Sequence, residues 1–250
     1  MKIKDNIILI TGGATGIGFA LAEMFSREGN EVIVCGRRQN KLEEARRKLP
    51  GLHIRACDVS IDSERKLLFN WVKENFKGLN ILINNAGIQR MVDLTRGARD
   101  LTGAEAEIQT NLMAPIWLSA YFIPMLVKQR EAAIINVSSG LGFVPIAAMP
   151  VYCATKAAVH SFTMSLRHQL KDTSVKVFEV IPPMVATELG KGVGEEEEEW
   201  NRGIPPSEVA TVVLESLKKD KFEIAVGEAQ GLVNGSRKNP QQTFKNLNQW

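Results

Sequence analysis

The chain has 250 residues, enough for one sizeable core, with 44% hydrophobic and 24% charged side chains. A net charge of +3, with no dense Lys/Arg patch interleaved with aromatics, argues against a nucleic-acid partner, and no apolar stretch is long enough to span a membrane. Cys35, Cys57 and Cys153 are scattered without CxxC spacing, which points to reduced thiols, no metal centre and a cytoplasmic location.

Apolar runs alternate with helical patterns along the chain. Residues 7–11 read as a buried strand and 16–28 as a helix. Strand 31–35, helix 40–49 and strand 53–56 follow. Residues 62–76 are amphipathic, with Leu67, Leu68, Trp71 and Val72 on one face. Strand 79–84 precedes one long helix over 105–130, then strand 132–138, helix 152–171, strand 174–181, helix 206–219 and strand 222–226. Continuous apolar strands separated by helices predict a single doubly wound α/β domain over 1–250, Rossmann-type, with a mostly parallel seven-stranded sheet and helices on both faces. A Gly- and Glu-rich segment at about 188–205, with five glutamates at 195–199, reads as a solvated face or a substrate lid. In the tail at about 231–250, Asn239-Pro240 predicts a helix cap, and Phe244 and Leu247 an apolar edge that docks on the body or on a neighbouring subunit.

Three motifs carry chemistry. Thr11-Gly12-Gly13-Ala14-Thr15-Gly16-Ile17-Gly18 lies between the first strand and the first helix. Glycines there let the backbone turn sharply and leave room for a pyrophosphate at the positive end of the helix. Asn84-Asn85-Ala86-Gly87 ends the fourth strand, where short amides line a cofactor crevice or simply make a turn. Tyr152 and Lys156 are four apart on one helix face. A free phenol titrates near about 10, and a neighbouring ammonium favours its ionised form, bringing it toward a usable proton shuttle.

Taken together with Cys57-Asp58-Val59, Asn111 and Asn136-Val137-Ser138-Ser139, these motifs resemble the short-chain dehydrogenase/reductase family in order and spacing from Ile7 to about Thr187. Pro182-Pro183 and the Asn-Pro tail resemble its DltE-like bacterial members. The resemblance implies an oxidoreductase moving a hydride between a nicotinamide cofactor and a carbonyl or alcohol. Tyr152 would be the general acid/base, Ser139 the hydrogen-bond partner of the substrate oxygen, with Ser138 as the neighbouring alternative. Lys156 would hold the ribose hydroxyls and depress the tyrosine pKa, and Asn111 would hold a relay water. Gly12, Gly16 and Gly18, with Thr15 and Ile17 in the same turn, would surround the pyrophosphate. Asp58 and Val59 would meet the adenine, Asn85, Ala86 and Gly87 the adenosine ribose, and Thr187 the carboxamide or pyrophosphate. A non-catalytic dinucleotide sensor on the same fold is the alternative reading.

The end of the second strand carries Gly36-Arg37-Arg38 in place of the carboxylate that would read a 2′-hydroxyl. This favours NADP(H), with Arg37 the main contact, Arg38 the second and NAD(H) the alternative. Leu141, Phe143, Met149, Met184 and Val185 suggest an apolar or amphipathic substrate. Pairing of the two long helices, as in relatives, implies a homodimer or homotetramer.

Overall fold

The apolar runs pair edge to edge. β1 (Ile7–Thr11) lies between β2 (Glu31–Gly36) and β4 (Ile81–Asn84), with Ile8 opposite Val32 on one side and Ile81 on the other. β3 (His53–Ala56) flanks β2, and β5 (Ala132–Val137), β6 (Val175–Ile181) and β7 (Glu223–Ala225) extend the other edge. The computed structural model describes residues 1–190 and 203–249, and within it all seven strands are parallel, in the order β3–β2–β1–β4–β5–β6–β7.

Alternation along each strand sends side chains to opposite faces. Ile8 and Ile10 point to a core shared with Leu21 and Phe25 of α1 (Gly16–Arg27), Leu42 of α2 (Gln39–Lys48) and Val213 and Leu217 of α7 (Pro206–Lys218). Leu9 points the other way, to Leu68 and Val72 of α3 (Asp62–Asn75), Leu118 and Phe122 of α5 (Ala114–Leu126) and Leu166 of α6 (Pro150–Gln169). Both faces are dry, so the strands carry no polar alternation. The chain leaves β1 first toward β3 and later toward β7, and that reversal opens a crevice beyond the carboxyl ends of β1 and β4.

The long helix predicted over 105–130 runs over 104–126 and contains a π turn. α4 (Ala104–Ile108) passes through one π turn (Gln109–Met113) into α5. The wide turn rotates Asn111 out of the i→i−4 ladder, a local device common at functional sites. The tail holds two helices, α8 (Ala229–Lys238) and α9 (Pro240–Leu247). The Asn239 side chain caps α9 by accepting from the Gln242 N–H at 3.2 Å. The hairpin docks on its own body: a Cβ on Gly140 would stand 2.9 Å from Leu232 of α8, and Asn248 Oδ1 accepts from the Ala147 N–H at 2.6 Å while its amide donates to the Pro145 carbonyl at 3.1 Å. Most of the expected lid, including the 195–199 glutamates, lies outside the described residues. No helix among the described residues is long and apolar enough to cross a membrane.

Candidate active site

The glycine turn is dictated by close approach. Gly12 has φ +63°, and a Cβ there would stand 2.9 Å from Ala86 Cα. Gly16 has φ +55° and meets Thr187, while a side chain on Gly18 would overlap the Gly12 carbonyl. Thr15 precedes α1 without a side-chain cap, so the first N–H groups of that helix are left to face an anion. Asn85 holds the turn in place. Its amide donates to the carbonyls of Thr11 (2.9 Å) and Gly12 (3.2 Å), and Thr11 Oγ1 accepts from the N–H groups of Asn85 and Ala86, each at 3.0 Å. The side chain expected at the adenosine ribose is therefore taken up by stitching β4 to the turn. Thr11, absent from the sequence-derived site, is its partner.

At the far end of the crevice stand Gly36, Arg37 and Arg38. Arg37 Nη1 lies 3.9 Å from Asp58 Oδ2, and Arg38 pairs with Glu188 at 2.8 Å and reaches Thr15 Oγ1 at 3.4 Å. Asp58 Oδ1 accepts from the Ser60 N–H and hydroxyl, leaving Oδ2 toward Arg37. Val59 is buried, and its carbonyl accepts from the buried Arg65 at 2.7 Å. Glu188, beside Thr187, escaped sequence reasoning because nothing in the linear pattern ties it to Arg38.

At the other end Tyr152 and Lys156 share one face of α6, both buried. Lys156 Nζ donates to the Val137 carbonyl at 2.9 Å and lies 5.6 Å from the centre of the Tyr152 ring. Burial pushes the Tyr152 phenol up to about 12, with the Ser139 hydrogen bond pulling the other way, and burial brings Lys156 down to about 8. The expected depression of the tyrosine by the lysine is thus not what this geometry shows, because desolvation dominates at the phenol. Ser139 faces Tyr152 and also accepts from the Leu141 N–H at 3.1 Å, whereas Ser138 turns inward to Glu179 at 2.6 Å.

Asn111 grips the loop after β4. Its Oδ1 accepts from the Ile88 N–H at 2.9 Å, and its amide donates to the Ile88 carbonyl at 2.8 Å and Thr155 Oγ1 at 3.2 Å. A Cβ on Gly87 would stand 3.5 Å from Asn111 Oδ1 and 3.6 Å from Lys156 Nζ, so the three positions converge. Two buried clusters behind the site were not anticipated. Asn84 donates to Asn136, which donates to Thr163, and Glu179 binds both Ser138 and His160, the latter at 2.8 Å. Polar residues opposed in register on apolar strands, Asn84 against Asn136, were the available signal.

Lys156 predicts a pH signature. Its folded pKa near 8 lies below the ordinary 10.5, so between those values the unfolded chain binds more protons and stability rises with pH. Chemical denaturation of wild type and Lys156→Met across about pH 7.5 to 10.5 checks this. The wild type is expected to gain stability relative to the variant, and parallel profiles would refute the buried amine.

The crevice holds about 570 Å³ and runs from Arg37 and Arg38, past the glycine turn, to Tyr152 and Lys156. An elongated dinucleotide with a central pyrophosphate fits these residues: uncapped N–H groups at the middle, cations at one end and a buried amine at the other. Gly12, Thr15, Gly16, Ile17, Arg37, Arg38, Asp58, Val59, Asn85, Ala86, Gly87, Tyr152, Lys156 and Thr187 all line it. Gly18 lies beneath the turn. The walls also include Ile88, Gln89, Arg90, Ala106, Thr110, Ser138 and Leu189, whereas Ser139 and Asn111 are not among the lining residues. Leu141, Phe143, Met149, Met184 and Val185, the apolar residues expected at the substrate, do not line this crevice.

Residues 6–198 match the family described as short chain dehydrogenase. The chain is 46% identical over 248 residues to the uncharacterized oxidoreductase DltE of Bacillus subtilis strain 168, covering 99% of this chain and 98% of that protein. Among solved structures, a short chain dehydrogenase from Burkholderia cenocepacia J2315 in complex with NADP superposes with a TM-score of 0.85 at 27% identity, covering 99% of each chain. A short chain dehydrogenase/reductase from Burkholderia phymatum in complex with NAD shares the fold at a TM-score of 0.85 and 22% identity, covering 95% of this chain and 93% of that one.

Proposed function

Because this chain belongs to the short-chain dehydrogenase/reductase family and is an oxidoreductase of it, we propose that it interconverts a carbonyl compound and its alcohol using NADP(H). The observation that carries this reading is the buried pair Tyr152 and Lys156 lining the crevice, with Ser139 hydrogen-bonded to the Tyr152 phenol. The dinucleotide, when bound, supplies or takes the hydride. Tyr152 gives its phenolic proton to the carbonyl oxygen, and Ser139 donates a second hydrogen bond to that oxygen as charge develops. Lys156 keeps donors beyond the one held by the Val137 carbonyl, and these suit ribose hydroxyls. A phenol kept neutral up to about 12 carries the proton that the reductive step consumes. Asn111 fixes the Ile88 loop that walls the reaction centre.

NADP is preferred over NAD in this reading because no carboxylate occupies the end of β2 and two half-exposed guanidiniums do. Arg37, held only loosely by Asp58 at 3.9 Å, is the first candidate for the 2′-phosphate. We place the protein in the cytoplasm on its three unpaired cysteines, and as a homo-oligomer on exposed Ile108, Trp117 and Met164 along α4 to α6. The test is a fluorescence titration with NADPH and NADH. NADPH is expected to bind roughly tenfold tighter, and Arg37→Ala to bring the two within about threefold, as loss of a charge-assisted contact requires. Equal affinities in the wild type would overturn the NADP assignment, and absence of binding to folded protein would overturn the functional reading.

A further inference from the structure

The wall of the crevice carries more polar side chains than an apolar ketone requires. Its lining contains Gln89 and Arg90 on the loop after β4, together with Ala106 and Thr110, an i, i+4 pair on the segment that leads through the π turn. Arg90 is three residues from Gly87, so its Cα lies within about 11 Å of the Lys156–Asn111 convergence point. The loop is pinned at both ends, by the two Asn111–Ile88 hydrogen bonds and by the Val92 N–H on the Ala148 carbonyl at 3.0 Å.

The Arg90 guanidinium has a built seat. It lies over Gly103, where a Cβ would stand 2.8 Å from Cζ, and Gly103 has φ +89°. Among the described residues no carboxylate oxygen comes within 4.0 Å of it. Glu107 is fully buried; burial pushes its carboxyl up, while a hydrogen bond from the Arg90 main chain and the Arg90 charge pull it back. The other arginines of the crevice, Arg37 and Arg38, each face a carboxylate at the opposite end. Arg90 is therefore a cation on the crevice wall, seated over Gly103, with no carboxylate oxygen in ion-pair contact among the described residues and only the buried Glu107 acting on it through space.

We propose that Arg90 recognises an anionic group, a carboxylate or a phosphate, carried by the carbonyl substrate a few bonds from the reacting carbon. A planar guanidinium takes either anion in a two-point contact, which fixes the orientation of the carbonyl toward Tyr152 and Ser139. The proposal rests on the oxidoreductase reading above. It replaces the apolar substrate expected from sequence with an acidic one.

Matched pairs test it: 4-oxobutanoate against butanal for a carboxylate, and glyceraldehyde 3-phosphate against glyceraldehyde for a phosphate. Binding of each to the protein saturated with NADP⁺ is measured by calorimetry, and turnover with NADPH by absorbance. The charged member of at least one pair is expected to exceed its neutral partner by roughly tenfold or more in affinity and in kcat/KM. In Arg90→Gln that ratio falls to within about threefold, Arg90→Lys keeps part of it, and Arg90→Glu inverts it. Which pair shows the ratio tells carboxylate from phosphate. A wild-type ratio near one in both pairs, or a ratio unchanged in Arg90→Gln, overturns the proposal. Failure of the underlying reading looks different, because the protein would then bind no dinucleotide and Tyr152→Phe would turn over as fast as wild type. If no compound is reduced, the calorimetric ratios still decide.

Discussion

Tyr152→Phe is expected to lower the rate of carbonyl reduction by roughly a thousandfold while NADPH affinity stays within about threefold, the size of effect carried by a positioned proton donor. The ring that fills the buried space is kept, so the loss is confined to one hydroxyl. Ser139 retains the Leu141 N–H as a partner, which limits collapse of the pocket. Single-turnover absorbance of bound NADPH measures the chemical step, and fluorescence measures binding. A variant keeping more than about a tenth of the wild-type rate would remove Tyr152 from the reaction. A variant that also lost NADPH would assign the residue to binding.

Glu179→Ala is expected to be the most destabilising of the changes considered, by about 3–5 kcal/mol. The carboxylate is buried in mid-sheet, accepts from Ser138 at 2.6 Å and meets His160 at 2.8 Å. Removing it leaves a buried hydroxyl and an imidazole without their acceptor. For a chain of this length the change corresponds to a fall of about 6–20 °C in Tm by circular dichroism. Glu179→Gln, which keeps one acceptor oxygen, is expected to lose about half as much. The site feels the change because Ser138 precedes Ser139 and anchors the end of β5. Wild-type Tm in Glu179→Ala would show that the cluster is not a structural anchor.

The sheet was legible in the sequence for a physical reason. A strand buried on both faces must be mostly apolar, as Ile7–Thr11 and Ala132–Val137 are. The glycine turn was legible because backbone contact forbids a side chain at Gly12 and Gly18. The π turn at Gln109–Met113 was not, since it keeps helical backbone on both sides and is tied to what Asn111 reaches in the Ile88 loop. α8 was hidden by two internal glycines that weaken helix propensity. Gly235 is there because Thr243 of α9 packs within 2.6 Å of where its Cβ would be. Side-chain surroundings were harder to read where a residue had competing partners. Asn85 serves the turn, and the environment of Tyr152 is set by burial more than by Lys156. The polar character of the crevice wall was invisible because Arg90 and Ala106 come to line one crevice only through the fold.

The loop from Ser139 to Tyr152 is held from outside the sheet. α8 presses on Gly140 at one end, and Asn248 bridges Pro145 and Ala147 near the other. The glycine turn is held by different parts of the molecule, β1, β4 and Asn85. The two halves of the crevice thus have separate foundations. Substitutions in the α8–α9 hairpin reshape the opening presented to the carbonyl without disturbing the strands that cradle the nucleotide. Divergence of substrate preference in such a chain is cheapest far from its signature motifs, in a region that comparison of those motifs alone would pass over.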